Sequence, residues 1–308
     1  MATDTLGDEL VERRSPRSTP SGSRLAPPRW WIQLLAVSAF YWLYARIRDI
    51  HGLHATDPGP TRHAFRNGLE VLHLEEWLHI DIERAMQQAV LHLHWLLRAG
   101  NVFYGSAHFG VTLLAFLWLL FRTPPARFYY WRNVLAAGTL LALVGFALYP
   151  TMPPRLFPAS YGYIDTLQSV GGLWSYNAGV LEHISDPYAA MPSLHIVWAT
   201  WCSAVLWDRF GPPLRPLLVG YPLATCLVVL ISANHWLLDL VVGWGIFALA
   251  WGVVDLLTRA WSRRREGPAP GPGDHSAPGP EGVERRDVFG GELEAVDVRV
   301  GGDPLPRP

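Results

Sequence analysis

The chain has 308 residues, of which 50% are apolar and only 17% charged, and its formal net charge is −1. It is too apolar for one soluble domain of that length, and its apolar residues come in blocks, which indicates an integral membrane protein. The near-neutral net charge gives no indication of nucleic-acid binding. Every basic residue is Arg, because the sequence contains no Lys.

Six apolar runs predict an all-α integral membrane protein with six transmembrane helices. In chain order they are approximately 30–45, 101–121, 133–150, 191–207, 214–233 and 236–257. Most reach the roughly 20 residues that a helix needs to cross a bilayer. The first and fourth are shorter, so they could cross only with the help of flanking residues or where the bilayer is locally thin. No small-residue cleavage site follows the first run, so we interpret it as an anchor and not as a removable signal peptide.

The segments outside these runs complete the predicted domain organisation. Residues 1–29 are polar and predict a disordered cytoplasmic tail, and residues 261–308, rich in Pro, Gly and charge, predict a second one. Residues 30–260 then form the six-helix membrane domain. Within it, the apolar spacing over 66–98 predicts one or two peripheral amphipathic helices on the outer membrane surface, with a plain soluble linker as the alternative.

The distribution of Arg predicts the orientation. Arg residues are frequent in the N-terminal tail, the 122–132 loop, the 208–215 turn and the C-terminal flank, whereas the 151–190 loop has only Arg155. By the positive-inside rule, both termini of this multi-pass cell-membrane protein face the cytoplasm. The 46–100 loop conflicts with this assignment because it is placed outside and holds six Arg. The rule weakens, however, for loops of that length.

This topology gathers three short polar segments at the outer ends of the helices. They are PPR at 153–155, PSLH at 192–195 and NHWLLD at 234–239. Ionisable residues at membrane level are costly and indicate function by default. The convergence of three separate segments in one layer therefore predicts a functional site at the extracytoplasmic face.

The residue types in these segments suit covalent phosphoryl transfer. His235 and Asp239, four residues apart, share one helix face, so the carboxylate can hold one ring nitrogen of the histidine. We expect His235 to attack phosphorus, Asp239 to fix its tautomer and His195 to give a proton to the leaving oxygen. Pro192 suits the first position of a helix, where Ser193 and the free N–H groups can bind phosphate oxygens.

Further residues are predicted to bind the substrate. Arg155 offers a planar fork for phosphate oxygens, and Asn234 can add a donor. Asn101, Tyr104 and His108 share one face at the outer start of the second run and can line the pocket.

Two alternatives stay open at this point. The two His and the Asp could instead be three metal ligands, although a Pro-Ser helix start and a nearby Arg favour an anion over a cation. Arg155 could be paired with an acidic residue of its own loop, Asp165 or Asp186, and have no part in substrate binding.

Two motifs resemble those of a known family. AAMPSLH and SANHWLLDLVVG resemble the second and third signature motifs of the type 2 phosphatidic acid phosphatase superfamily, roughly PSGH and SRx5Hx3D. The form here is closer to the inositol phosphorylceramide synthase (inositolphosphotransferase) branch, and YPTMPPRL resembles that branch's segment after the third helix. The resemblance covers about 100–258. It implies that His195 is the acid/base, His235 the nucleophile and Asp239 its orienting partner, with no metal or organic cofactor.

The chain also departs from the superfamily pattern. The first motif, Kx6RP, needs a Lys, which this chain does not have, and Arg155 is followed by Leu156 instead of Pro. The Arg expected six residues before His235 is Val229. Phosphate binding must therefore use another set of residues.

The sequence thus predicts a membrane-embedded lipid phosphate phosphatase with a phosphohistidine intermediate. Its partners would be a membrane lipid phosphate and the bilayer itself. Because water or an alcohol can resolve the same intermediate, a phosphotransferase that moves a phosphoinositol-type head group to a lipid acceptor is the alternative. From another class, the chain could be a transporter or lipid-binding membrane protein with a vestigial site. A transporter would be expected to show paired broken helices and inverted repeats, which the sequence does not.

Overall fold

Long helices form most of the protein, in agreement with the predicted all-α class. The computed structural model describes residues 26–50, 58–172 and 188–266. By their contacts, Met1–Arg264 and Arg265–Pro308 are two separate units, and all the packing described below lies in the first. The tails predicted at 1–29 and 261–308 lie almost entirely outside the described residues.

The described residues contain nine α-helices. In chain order they are α1 (Trp30–Ile50), α2 (Pro58–Leu78), α3 (Glu83–Val90), α4 (His94–Arg122), α5 (Pro125–Leu148), α6 (Thr166–Ser169), α7 (Leu194–Leu206), α8 (Arg215–Ile231) and α9 (Leu237–Glu266). No strand occurs in this part of the chain, where Thr151 and Ala189 form an isolated parallel bridge.

Four of the six predicted spans coincide with helices that are long and apolar enough to cross a membrane. They are His94–Arg122, Pro125–Leu148, Pro212–Ile231 and Leu237–Arg264. The other two are not confirmed. The 13 residues of α7 extend only about 20 Å at 1.5 Å per residue, less than the roughly 30 Å of a bilayer core. In α1, several Trp and Tyr residues, Gln33 and Arg46 reduce the apolar character.

The short helix α7 packs against α4, α5 and α8. Its Trp201 is fully buried and donates from Nε1 to the carbonyl of Trp131 in α5 at 2.8 Å. Two glycines allow neighbouring helices to approach the start of α7. A Cβ on Gly145 of α5 would lie 2.5 Å from Pro192 Cδ, and one on Gly243 of α9 would lie 2.8 Å from the Ser193 carbonyl oxygen. The start of α7 is therefore held between two helices at backbone contact distance.

The predicted segment 66–98 forms most of α2, α3 and the beginning of α4, and it packs against the loops that carry the polar segments. Leu72 is buried in an aromatic cluster with Phe157, Tyr163 and Trp236, which lie in or beside the polar segments. Trp77, predicted to lie on the apolar face, is 74% exposed. The reason for the difference is that two carboxyl groups, described below, occupy part of the buried face.

Candidate functional site

Backbone hydrogen bonds join the three segments that were predicted to converge. The N–H of Arg155 donates to the carbonyl of Ala233 at 2.9 Å, and the N–H of Ser193 donates to the carbonyl of Asp239 at 3.0 Å. The N–H of Thr151, just before the first segment, donates to the carbonyl of Tyr188, just before the second, at 2.8 Å. The segments after α5, before α7 and between α8 and α9 therefore form one connected site.

A tight turn places His235 between α8 and α9. At the end of α8, Asn234 N donates to Val229 O and Ala233 N donates to Leu230 O, both at 2.9 Å, which is a Schellman arrangement. Its left-handed position is occupied by Ala233, with φ of 53°. Glycine is usual there, and a Cβ in this conformation costs about 1–2 kcal/mol. Such strain is typical of functional sites, where the surrounding structure must enforce it.

The contact between His235 and Asp239 differs from the predicted pairing along one helix face. The helix begins at Leu237, so His235 precedes it and Asp239 lies in its first turn. Asp239 Oδ2 accepts from the backbone N–H of Trp236 at 2.9 Å and from His235 Nδ1 at 3.2 Å. A carboxylate at the third helical position that binds the N-cap N–H is one half of a capping box. The pair is thus built into the start of α9.

The hydrogen-bond partners fix the tautomers of the two histidines. His235 Nδ1 faces Asp239 Oδ2 and, at 3.0 Å, the carbonyl of Ala190, and both of these are acceptors. Nδ1 therefore carries the proton, and the lone pair is on Nε2. That Nε2 lies 3.2 Å from His195 Nδ1, which must then be the donor. The nucleophile and the acid/base of the predicted scheme are in direct contact.

The site is largely buried. Asp239 is 0% exposed and His235 3% exposed. His195 Nε2 and Asp239 Oδ1 are buried and have no hydrogen-bond partner among the described residues. An interior with unpaired polar atoms favours charge-assisted hydrogen bonds to a ligand, since these are stronger away from water.

Ser193 lies in the site, although not as predicted. The first helical residue of α7 is Leu194, so Ser193 is the N-cap and Pro192 precedes the helix. The prediction that Pro192 occupies the first helical position is therefore wrong. The Ser193 hydroxyl does not cap α7 and lies 3.4 Å from His235 Nε2. The Ser193 side chain therefore does not bind the first N–H groups of α7, and His195 is the second residue of that helix, close to its positive end.

Tyr104 and His108 of α4 reach the site as packing partners of His195. The Tyr104 ring stacks on the imidazole of His195 with centroids 4.4 Å apart, and His108 lies 4.2 Å from the same ring. His108 Nδ1 donates to the Tyr104 carbonyl at 3.1 Å. Asn101 does not line the site, because its side-chain N–H groups bind the carbonyls of Thr166 and Gly171.

Two predicted substrate ligands have partners within the protein. Arg155 Nη1 binds Asp165 Oδ2 at 2.8 Å, which is the acidic partner considered above, whereas its Nε is buried without a partner among the described residues. Asp186, the other acidic residue considered, lies outside the described residues. Asn234 donates to Ser232 Oγ at 2.7 Å, and its Oδ1 is buried without a partner. Each therefore keeps at least one polar atom that has no partner among the described residues.

Two carboxyl groups at the site were not predicted from the sequence. Glu75 of α2 and Glu83 of α3 are both fully buried and accept hydrogen bonds from the first N–H groups of α9. The signal for Glu75 was present, because it shares a helix face with Val71 and Leu72, where an apolar residue would be expected. The role of the Ala190 carbonyl was also missed, since backbone groups carry no sequence signal.

The geometry does not favour the three-ligand metal site. Among the residues that the structure describes, no three His, Cys, Asp or Glu side chains are grouped so that they could hold a metal ion. Asp239 and His195 lie at opposite nitrogens of the His235 ring, so the three side chains do not converge on one point.

Comparison with protein families matches residues 69–253 to the PAP2 superfamily. The chain belongs to the PAP2 superfamily. This confirms the resemblance predicted from the motifs, and the inositol phosphorylceramide synthase branch stays a prediction. Superfamily members are generally phosphoryl-transfer enzymes, which indicates a phosphatase or phosphotransferase type of function. No curated protein and no solved structure matches the chain.

Proposed function

We propose that this PAP2-superfamily protein is a membrane-embedded lipid phosphate phosphatase that acts through a phosphohistidine on His235. The supporting observation is the orientation of its ring. Nδ1 is held by Asp239 and the Ala190 carbonyl, so the Nε2 lone pair is directed toward His195, 3.2 Å away. A positioned nucleophile beside an acid/base group is the arrangement that covalent phosphoryl transfer needs.

In the first step, His235 Nε2 attacks the phosphorus atom while the bond from phosphorus to the lipid oxygen breaks. The incoming lipid phosphate monoanion gives its proton to His195 Nε2, and the imidazolium that forms gives its Nδ1 proton to the departing oxygen and is left neutral with the proton on Nε2. The phosphate product takes the Nε2 proton back when it leaves at the end of the second step. Asp239 stabilises the positive charge that forms on the His235 ring. The lipid alcohol leaves.

In the second step, a water molecule attacks the phosphohistidine. His195 Nδ1 accepts the proton of the water as the new oxygen–phosphorus bond forms and the nitrogen–phosphorus bond breaks. Inorganic phosphate leaves, and the lone pair returns to His235 Nε2. The N–H groups at the start of α7 and the Ser193 hydroxyl, 3.4 Å from His235 Nε2, are proposed to bind the phosphoryl oxygens as negative charge develops on them in both steps.

The phosphatase and phosphotransferase activities are distinguished by the acceptor. Purified protein in lipid vesicles is incubated with ³²P-labelled phosphatidic acid, and with a phosphoinositol lipid plus a lipid alcohol. Release of inorganic phosphate supports the phosphatase, and transfer of the head group to the alcohol indicates the phosphotransferase. Absence of both reactions overturns the proposal and favours a transporter or lipid-binding protein. Activity that is lost in chelator and restored by a divalent cation contradicts the metal-free scheme.

Arg155 is proposed to contact the phosphoryl group through guanidinium nitrogens that do not bind Asp165. Arg155→Lys keeps the charge but loses the fork, so kcat/KM should fall. Arg155→Ala should be worse, by about 2–4 kcal/mol of transition-state stabilisation. Steady-state kinetics on both variants measure this, with the exposed Arg84→Ala as a control. If Arg155→Ala keeps the wild-type kcat/KM, Arg155 does not bind the phosphoryl group and serves only in the ion pair with Asp165.

The site is proposed to face outward from the cell membrane, with both termini in the cytoplasm. The distribution of Arg supports this orientation. It requires α1 and α7 to cross the membrane in addition to the four candidate spans. Ser160→Cys, at an exposed position after Arg155, should react with an impermeant thiol reagent in intact cells once Cys202 and Cys226 are replaced by Ala. If Ser160→Cys is labelled only after the cells are lysed, the site faces the cytoplasm and the proposed orientation is wrong.

A further inference from the structure

The first N–H groups of α9 are bound by carboxyl groups from two other helices. Glu83 Oε1 accepts from Leu237 N at 2.6 Å, and Glu75 Oε1 accepts from Leu238 N at 2.7 Å. Both glutamates are 0% exposed. The first N–H groups of a helix have no partner within it. Here they are satisfied by residues more than 150 positions earlier in the chain.

The two carboxyl groups also lie close together, because they bind the N–H groups of consecutive residues. Their remaining oxygens, Glu75 Oε2 and Glu83 Oε2, are buried with no donor among the described residues, while the two side chains lie within hydrogen-bonding reach of each other. Two carboxylates cannot hydrogen-bond without a proton, and a single proton between them supplies the missing donor for both.

We propose that Glu75 and Glu83 share one proton and are positioning residues for the phosphoryl transfer proposed above, on which this inference rests. They act through the start of α9. The backbone N–H groups of three consecutive residues, Trp236 to Leu238, are each bound by a carboxyl oxygen, and the third carboxyl is that of Asp239. The pair thereby fixes the turn that carries both His235 and Asp239.

The charge state follows from burial. Burial and the neighbouring Glu83 raise the pKa of Glu75 to about 9, and burial also raises the pKa of Glu83. Asp239 on α9 acts in the same direction on both. The Tyr163 hydroxyl also faces the pair, and burial raises its pKa, so it stays neutral near pH 9.

Charged groups at the surface beside α3 complete the surroundings of the pair. The positive Arg84 and the negative Asp81 both interact with Tyr163, and their effects on its pKa are opposite in direction. Gln87 of α3, which is neutral, binds the backbone of Ile164 on the same side. The group that titrates between neutral pH and about pH 9 is therefore the shared proton of the pair.

Loss of that proton should loosen the start of α9. Above about pH 9, two facing carboxylates repel each other beside Asp239, so kcat should fall on the alkaline side.

The free energy of unfolding should also fall as the pH rises. The folded protein holds a proton that the unfolded chain releases near pH 4.5, so stability declines from there until the pKa of about 9 is passed.

Glutamine variants test the shared proton. In Glu75→Gln the amide N–H can donate to the Glu83 carboxylate as the proton did, so kcat should fall by less than about fivefold. In the double variant Glu75→Gln/Glu83→Gln, each amide oxygen still accepts from α9, so the two NH₂ groups face each other as donors and neither has an acceptor. A misplacement of His235 by about 1 Å should then lower kcat on the order of 10²-fold with little change in KM. Glu76→Gln, an exposed neighbour on α2, is the matched control.

The alkaline limb decides the proposal even if the double variant does not fold. In Glu75→Gln the decline of kcat near pH 9 should be absent, because no shared proton can be lost, and the pH dependence of Tm should flatten over the same range. An alkaline limb that coincides with that of the wild type, or a folded double variant with wild-type kcat, would overturn the proposal. The Tm profile needs no substrate, so it tests the pair even if the lipid phosphatase activity is not found.

Discussion

Replacing His235 should abolish turnover and leave the protein folded. Among the described residues, no other side chain has the held and oriented lone pair of His235 Nε2. We therefore expect His235→Ala to lower kcat to the uncatalysed background, a loss on the order of 10⁶-fold. The variant removes a donor from the buried Asp239 carboxylate, at a cost of about 1–3 kcal/mol in stability. His235→Asn is therefore the sharper test, because its amide N–H can still donate to Asp239 although the side chain cannot attack phosphorus.

The measurement has two parts. Release of labelled phosphate gives kcat, and rapid quenching at alkaline pH traps the acid-labile phosphohistidine, which should be absent from both variants. His73→Ala, a change at an exposed histidine of α2, should form the intermediate and turn over like the wild type. The phosphohistidine scheme is wrong if His235→Ala retains activity within about tenfold of the wild type.

Asp239→Asn should be the second most damaging change. The carboxamide has no charge, so the positive ring that forms during attack loses its stabilising partner. In one of its two orientations, the amide N–H also faces His235 Nδ1 and forces the ring proton onto Nε2, which removes the nucleophilic lone pair. By analogy with other carboxylates that orient a catalytic histidine, kcat should fall about 10⁴-fold.

Single-turnover kinetics locate this loss in the chemical step. The rate of phosphohistidine formation should fall in Asp239→Asn while KM changes little, because Asp239 is fully buried and contacts His235 instead of substrate. Asp255→Asn, a change toward the C-terminal end of the same helix, where Asp255 pairs with Arg259, should leave both rates unchanged. A large rise in KM with an unchanged rate of phosphohistidine formation would show that Asp239 acts on binding.

The sequence predicted the histidine pair because its signals are local. The segments 192–195 and 234–239 each carry their chemistry within six residues, and both lie at ends of apolar runs, where an ionisable residue stands out. The geometry of the pair was less predictable. The spacing of His235 and Asp239 suggested one helix face, whereas the left-handed Ala233 makes the chain turn so that α9 begins only at Leu237.

The parts that the sequence did not predict depend on contacts between distant residues. Glu83 appears in the sequence as an ordinary polar position, and the only signal for Glu75 is its place on the apolar face of its helix. The pairing of both carboxyl groups with N–H groups of α9 has no signal in the sequence. Likewise, Arg155 offered two interpretations, and its bond to Asp165 could not be predicted from charge counts. A transmembrane prediction from hydropathy could not separate α7, which is apolar but short, from the longer helices.

The direct hydrogen bond between His195 and His235 has a consequence for the reaction cycle. In the resting site each ring is already the other's ligand, with 3.2 Å between Nε2 and Nδ1, so a phosphoryl group must part them in order to enter. Under the proposed function, a lipid phosphate meets that cost with the anchoring of its acyl chains in the bilayer, whereas free inorganic phosphate has no such anchor. Closure of the two rings is therefore expected to favour release of the phosphate product and to weaken inhibition by inorganic phosphate.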